Sequence, residues 1–133
     1  MDDSAANDGT KKRKLVLVVD DDHVHRRTMD LLSDHLGVRT ITVSSCADAI
    51  TAIRTSTFDV ILMDYRMPEE DGISCTRRIR NMGEVFKNTP IIAVTAHIVE
   101  DSKLVFLEGG MNDLLAKPFT FEELRSKLSQ WLG

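Results

Sequence analysis

Five chemically active side chains stand directly after short apolar runs. Asp20 and Asp21 follow Leu15-Val16-Leu17-Val18-Val19, Asp64 follows Val60-Ile61-Leu62-Met63, Thr95 follows Ile91-Ile92-Ala93-Val94, and Lys117 follows Leu114-Leu115-Ala116. Continuous apolar runs bounded by turn residues suit strands buried on both faces, as in a parallel sheet covered by helices. The carboxyl ends of such strands open onto one crevice, where acids, hydroxyl and amine would meet. Taken singly, Asp22 reads as a helix N-cap, Thr95 as a strand end and Lys117 as a surface lysine. Several carboxylates at one edge, however, need something to neutralise them. With no His or Cys at metal-type spacing, they suit a hard cation, and Mg²⁺ takes one or two carboxylates while keeping several waters. A hydroxyl and a lysine supply a donor and a point charge that hold phosphate oxygens. A carboxylate beside Mg²⁺ and Lys can accept a phosphoryl group as an aspartyl phosphate. Asp64, a lone acid, is the expected acceptor, and adjacent Asp20 and Asp21 are the expected metal ligands.

The elements that must position these residues alternate along the chain. After the first strand, Val24, Thr28, Leu31, Leu32, His35 and Leu36 predict a helix stopped by Gly37. Arg39 to Val43 is a thinner strand, and Ser45 with Asp48 resembles a capping box before a helix that buries Ala49, Ile50 and Ile53. Asp71-Gly72 reads as a turn into a helix over Ile73 to Met82, with Arg77, Arg78 and Arg80 on its exposed side. Gly83 to Pro90 reads as a loop. After the fourth strand, a helix around Val99 to Glu108 is expected to stop at Gly109-Gly110. Thr120 and Glu123 predict a capped last helix with Phe121, Leu124, Leu128, Trp131 and Leu132 on one face. Five strands alternating with five helices imply an α/β fold, a parallel sheet with right-handed crossovers and helices on both faces.

The bulk numbers exclude several classes. At 133 residues there is room for one domain, expected over 14–133 after a polar, flexible leader over 1–13. A hydrophobic content of 42% with no long apolar run excludes a membrane span, and a net charge of −4 argues against direct nucleic-acid binding. The basic run Lys11-Lys12-Arg13-Lys14 reads as a solvated linker. Cys46 and Cys75 lack metal spacing and read as separate packing or surface residues in a reducing cytosol. His23, His25 and His35 read as surface or helix-packing residues, and the methionines as core fillers.

The ordered set of motifs closely resembles the response-regulator receiver domains of two-component signalling. It comprises Val18-Val19-Asp20-Asp21, Met63-Asp64 with Met67-Pro68 and Asp71-Gly72, Val94-Thr95-Ala96, and Gly110-Met111 leading to Lys117-Pro118-Phe119, and it spans roughly Lys14 to Gly133. The resemblance implies a flavodoxin-like doubly wound (βα)5 sandwich of strand order 2-1-3-4-5. It implies phosphorylation of Asp64 by a phosphohistidine on a histidine kinase or histidine phosphotransfer protein. Mg²⁺ would be held by Asp20 or Asp21, Asp64 and the backbone carbonyl of Arg66. Thr95 and Lys117 would bind the phosphoryl group, and the Lys117-Pro118 peptide would be cis.

The chain departs from the family at Leu114, three before the lysine, where an aromatic switch residue is common; Leu114 reads as a passive core residue. Arg66 and His97, two residues after Asp64 and Thr95, are expected to modulate aspartyl-phosphate lifetime. The expected role is a cytoplasmic phosphoacceptor module rather than an enzyme, with self-catalysed transfer and autodephosphorylation. It would act as a monomer or phosphorylation-dependent dimer, either as a stand-alone regulator or as part of a hybrid sensor kinase. The alternatives are a phosphatase, which Arg66 disfavours because a second acid belongs there, and a pseudo-receiver that binds partners without phosphorylation.

Overall fold

The structure is a computed structural model that describes residues 13–96 and 102–133. The expected leader, apart from residue 13, the start of the helix expected from Val99, and His97 lie outside the described residues. The strands are β1 (Lys14–Val19), β2 (Val38–Val43), β3 (Val60–Asp64), β4 (Ile91–Thr95) and β5 (Asp113–Ala116). The helices are α1 (His23–Leu36), α2 (Cys46–Thr55), α3 (Gly72–Arg80), α4 (Ser102–Glu108) and α5 (Phe121–Leu132), with a 3₁₀ turn at Glu84–Phe86. All strand pairs are parallel and the order is β2-β1-β3-β4-β5, as expected.

Alternation along the strands builds two cores. Leu17, Val19, Ile61, Met63, Ile91 and Ala93 face α2, α3 and α4, while Val16, Val18, Val60, Leu62, Ile92 and Val94 face α1 and α5. The central strands β3 and β4 are buried along their whole length, which is why they read as unbroken apolar runs. Full burial of each large side chain contributes about 1.5–3 kcal/mol.

Local signals set the helix ends. Asp22 caps α1, Ser45 caps α2 by accepting from the Asp48 N–H, and Asp71 caps α3 by accepting from the Ser74 N–H. Gly37 closes α1 at φ 73°, and Thr120 with Glu123 forms a complete capping box on α5.

Three expectations need correction. On α1 the inward stripe is Met29, Leu32 and Leu36, whereas Val24 and Leu31 are 63% and 64% exposed, and Thr28 and His35 are also exposed. The i, i+3, i+7 spacing of the true stripe leaves Val24 and Leu31 together on the outer side. Arg80 turns inward, donating to the carbonyls of Phe86, Thr89 and Gly110 and to Asn112 Oδ1. Cys46 and Cys75 are not separate residues: α2 and α3 lie on the same face of the sheet and bring their Cα atoms to 5.6 Å, joined as a disulfide.

Candidate functional site

β1 and β3 are neighbours in register, Val19 opposite Met63, so the residues after them emerge side by side. Asp20, Asp21 and Asp64 each offer a carboxylate oxygen within 4.8 Å of the others. Asp20 and Asp64 are buried and Asp21 is exposed, so the cluster is set into the edge with one side open to solvent. Asp20 is held from both ends: its N–H donates to the Val43 carbonyl, its Oδ1 accepts the Asp22 N–H, and Arg26 donates to its carbonyl.

Gly72 makes the loop after β3 possible. A Cβ there would lie 2.6 Å from the Asp64 carbonyl oxygen and 3.1 Å from the Tyr65 Cα, so no side chain fits. Its N–H donates to the Tyr65 carbonyl, folding the loop back across the acceptor strand.

Lys117 reaches across from β5. Its Nζ lies 3.2 Å from Asp64 Oδ1 and 3.4 Å from Asp20 Oδ2, bridging the two buried acids. Thr95 is buried at the end of β4, and its carbonyl accepts the Lys117 N–H at 2.8 Å. The Lys117-Pro118 peptide is cis, as the family resemblance implies.

Burial, and then the Asp20 charge, push the Asp64 carboxyl up to about 6 against the opposing pull of Lys117. One amine between two acids leaves net negative charge. Oxygen donors carrying that excess fit a hard divalent cation, so the residues present suit Mg²⁺.

The structure brings a further residue to the site from the surface, where it was expected. His25, in the first turn of α1, places Nδ1 3.2 Å from Lys117 Nζ, 3.3 Å from Asp20 Oδ2 and 3.7 Å from Asp22 Oδ2. Its position three residues after the Asp22 N-cap was the available signal. A cavity of about 450 Å³ runs beside the acids, with Met29, Leu62, Val94 and Phe119 among its apolar walls. Arg66 is exposed, its guanidinium 5.9 Å from the Tyr65 ring centroid, and Tyr65 meets Phe106 of α4 edge-on at 5.0 Å. Leu114 packs partly buried against the same core.

The response regulator receiver domain family matches residues 16–129. The chain belongs to that family. As a receiver domain of two-component signalling, it is similar to the sensor histidine kinase GacS of Pseudomonas protegens, 34% identical over 120 residues that cover 89% of this chain and 13% of that protein. It is 39% identical over 120 residues to the transcription factor SKN7 of Saccharomyces cerevisiae, covering 88% of this chain and 18% of that one. The chain therefore spans under a fifth of either relative. Among solved structures, the receiver domain of the Pseudomonas aeruginosa sensor histidine kinase PA1611, with a magnesium ion coordinated in its active-site cleft, is 37% identical with a TM-score of 0.81 over 91% of this chain and 98% of that one. The Vibrio cholerae chemotaxis protein CheY4 is 28% identical with a TM-score of 0.84 over 90% and 99%. No helix among the described residues of the receiver domain is long and apolar enough to cross a membrane.

Proposed function

We propose that this receiver domain accepts a phosphoryl group on Asp64 from a phosphohistidine of a histidine kinase or histidine phosphotransfer protein. The observation that carries the reading is the Lys117 bridge between Asp64 and Asp20 inside a cluster of three acids. An Asp64 carboxylate oxygen attacks phosphorus, the phosphorus–nitrogen bond breaks, and the leaving imidazole nitrogen takes the electron pair. Lys117 and the Thr95 hydroxyl are the groups assigned to the phosphoryl oxygens, so the chain supplies its own transfer site without being a free-standing enzyme. Asp20, Asp21, Asp64 and the Arg66 carbonyl are assigned to Mg²⁺, which when bound neutralises charge on the transferred group. The apolar cavity wall lowers the local dielectric and strengthens these interactions.

Val24 and Leu31, exposed on α1, the helix that begins at the site, suit contact with the donor protein. The edge contact from Tyr65 to Phe106 offers a route from the acceptor loop to α4 where Leu114 provides no aromatic ring. A cytoplasmic location and a place in a stand-alone regulator or a hybrid kinase accord with such a donor. The pseudo-receiver alternative is not favoured, because Asp20, Asp21, Asp64, Thr95 and Lys117 are all present. The test is incubation with Mg²⁺ and an acyl phosphate. The intact mass should rise by one phosphoryl group in the wild type and not in Asp64→Asn, and no gain in the wild type rejects the reading.

A further inference from the structure

The acceptor chemistry leaves Cys46 and Cys75 unused. Both are buried in the core on the α2, α3 and α4 side, 29 residues apart in sequence. Cys46 is the first residue of α2, directly after the N-cap Ser45, where the positive end of the helix favours an anion. Arg78 Nη1 lies 3.9 Å from Cys46 Sγ. A helix N-terminus and a guanidinium beside the sulfur are the polar surroundings in which a cysteine reacts with oxidants, and here they sit against a sulfur that is otherwise buried. Cys75, fully buried on α3 and within bonding reach, is placed to act as the resolving thiol.

The same Arg78 holds the acceptor loop. Its Nη1 also binds Glu70 Oε1 at 2.5 Å, and the Ser74 hydroxyl donates to Glu70 Oε2 at 2.8 Å. Glu70 lies in the segment between Asp64 and α3, just after Glu69, whose φ of 73° marks a tightly turned backbone. One guanidinium thus stands between the cysteine sulfur and the loop that also carries Arg66.

We propose that Cys46 and Cys75 are a reversible redox site, closed by hydroperoxides and opened by thiol reductants, that sets how firmly the loop from Tyr65 to Asp71 is held. The Cys46 thiolate attacks a peroxide oxygen, the O–O bond breaks, and the departing oxygen takes a proton to leave as water or an alcohol. Cys75 then attacks the Cys46 sulfenic sulfur, the S–O bond breaks, and hydroxide leaves as water with the Cys75 proton. The two cysteines lose two electrons and the peroxide gains them. In the disulfide, Arg78 faces a neutral sulfur and Glu70 keeps the cation. In the dithiol, the covalent tie between α2 and α3 is gone, and the freed Cys46 sulfur and Glu70 share Arg78. Reduction therefore loosens the loop.

The experiment compares the full chain reduced with dithiothreitol and oxidised with hydrogen peroxide, with no metal or phosphodonor present, so that it is independent of the acceptor assignment. Alkylation followed by intact mass should show both thiols trapped in the reduced protein and neither in the oxidised one, interconverting in native buffer. Amide hydrogen exchange over residues 65–74 should be on the order of tenfold faster in the reduced form. Arg78→Ala should keep the disulfide yet exchange at the fast rate in both states. Thiols that fail to close without denaturant, or loop exchange that is the same in both redox states of the wild type, overturn the proposal.

Discussion

Asp64 and Asp113 are both strand aspartates, 7% and 6% exposed, yet their surroundings act in opposite directions. Asp113 opens β5 at the far end of the sheet. Its Oδ2 accepts from Lys127 at 3.0 Å and from the Trp131 indole at 2.9 Å, and its Oδ1 accepts from the Leu114 N–H at 2.8 Å. Desolvation works to raise its carboxyl, but the bonds from Trp131, Leu114 and Lys127 outweigh it and hold it below its ordinary value. Asp64 is desolvated beside Asp20, and its carboxyl is raised. One acid is saturated with donors and braces the fold. The other is left with fewer donors at the edge where chemistry is proposed, and its poorly compensated charge is an opening for a cation.

The comparison breaks most visibly at Asp113. Asp113→Ala strands the Trp131 indole and the Lys127 amine, and urea unfolding should show a loss of about 2–4 kcal/mol. Metal should act only at the other acid: Mg²⁺ at a hundred times its dissociation constant should stabilise the wild type by about 2.7 kcal/mol, and Asp20→Asn with Asp64→Asn should remove that gain. Without metal, Asp64→Asn should stabilise the protein by about 1–2 kcal/mol near neutral pH, since it removes a charge the fold disfavours.

The signs of the pH dependence differ accordingly. The raised Asp64 carboxyl contributes stability below its unfolded value of 3.8, and that contribution is lost as pH rises through about 6. The lowered Asp113 carboxyl contributes above 3.8, and that contribution is lost as pH falls through its depressed value. Denaturation midpoints across pH should therefore rise toward acid through Asp64, an effect absent from Asp64→Asn, before Asp113 reverses the trend. The smallest effect on stability is expected at exposed Arg66. Arg66→Asn should change stability by less than about 0.5 kcal/mol while altering aspartyl-phosphate hydrolysis severalfold. Unchanged hydrolysis in both Arg66→Asn and His97→Ala removes these two side chains from the account of phosphate lifetime.

The strands and the residues at their carboxyl ends could be read directly, because Asp20, Asp64, Thr95 and Lys117 each follow an apolar run with no intervening residue. Parallel pairing then brings such ends together without further information. On α1 the apolar residues Val24, Leu31, Leu32 and Leu36 do not by themselves single out one face, and only packing into the core shared with the sheet and α5 selects Met29, Leu32 and Leu36. Arg80 looked like its neighbours Arg77 and Arg78 until the carbonyls of Phe86, Thr89 and Gly110 gathered around it.

Local pattern by itself determined the alternating elements, their caps and the acid edge, because hydrophobic period and turn chemistry act within a few residues. Tertiary structure alone decided that His25 meets Lys117 across 92 positions, that Cys46 meets Cys75 across 29, and that Arg78 stands between that pair and Glu70. Those meetings depend on how helices are rotated and laid over the sheet, a quantity set by the whole core and not encoded in the spacing of any one segment.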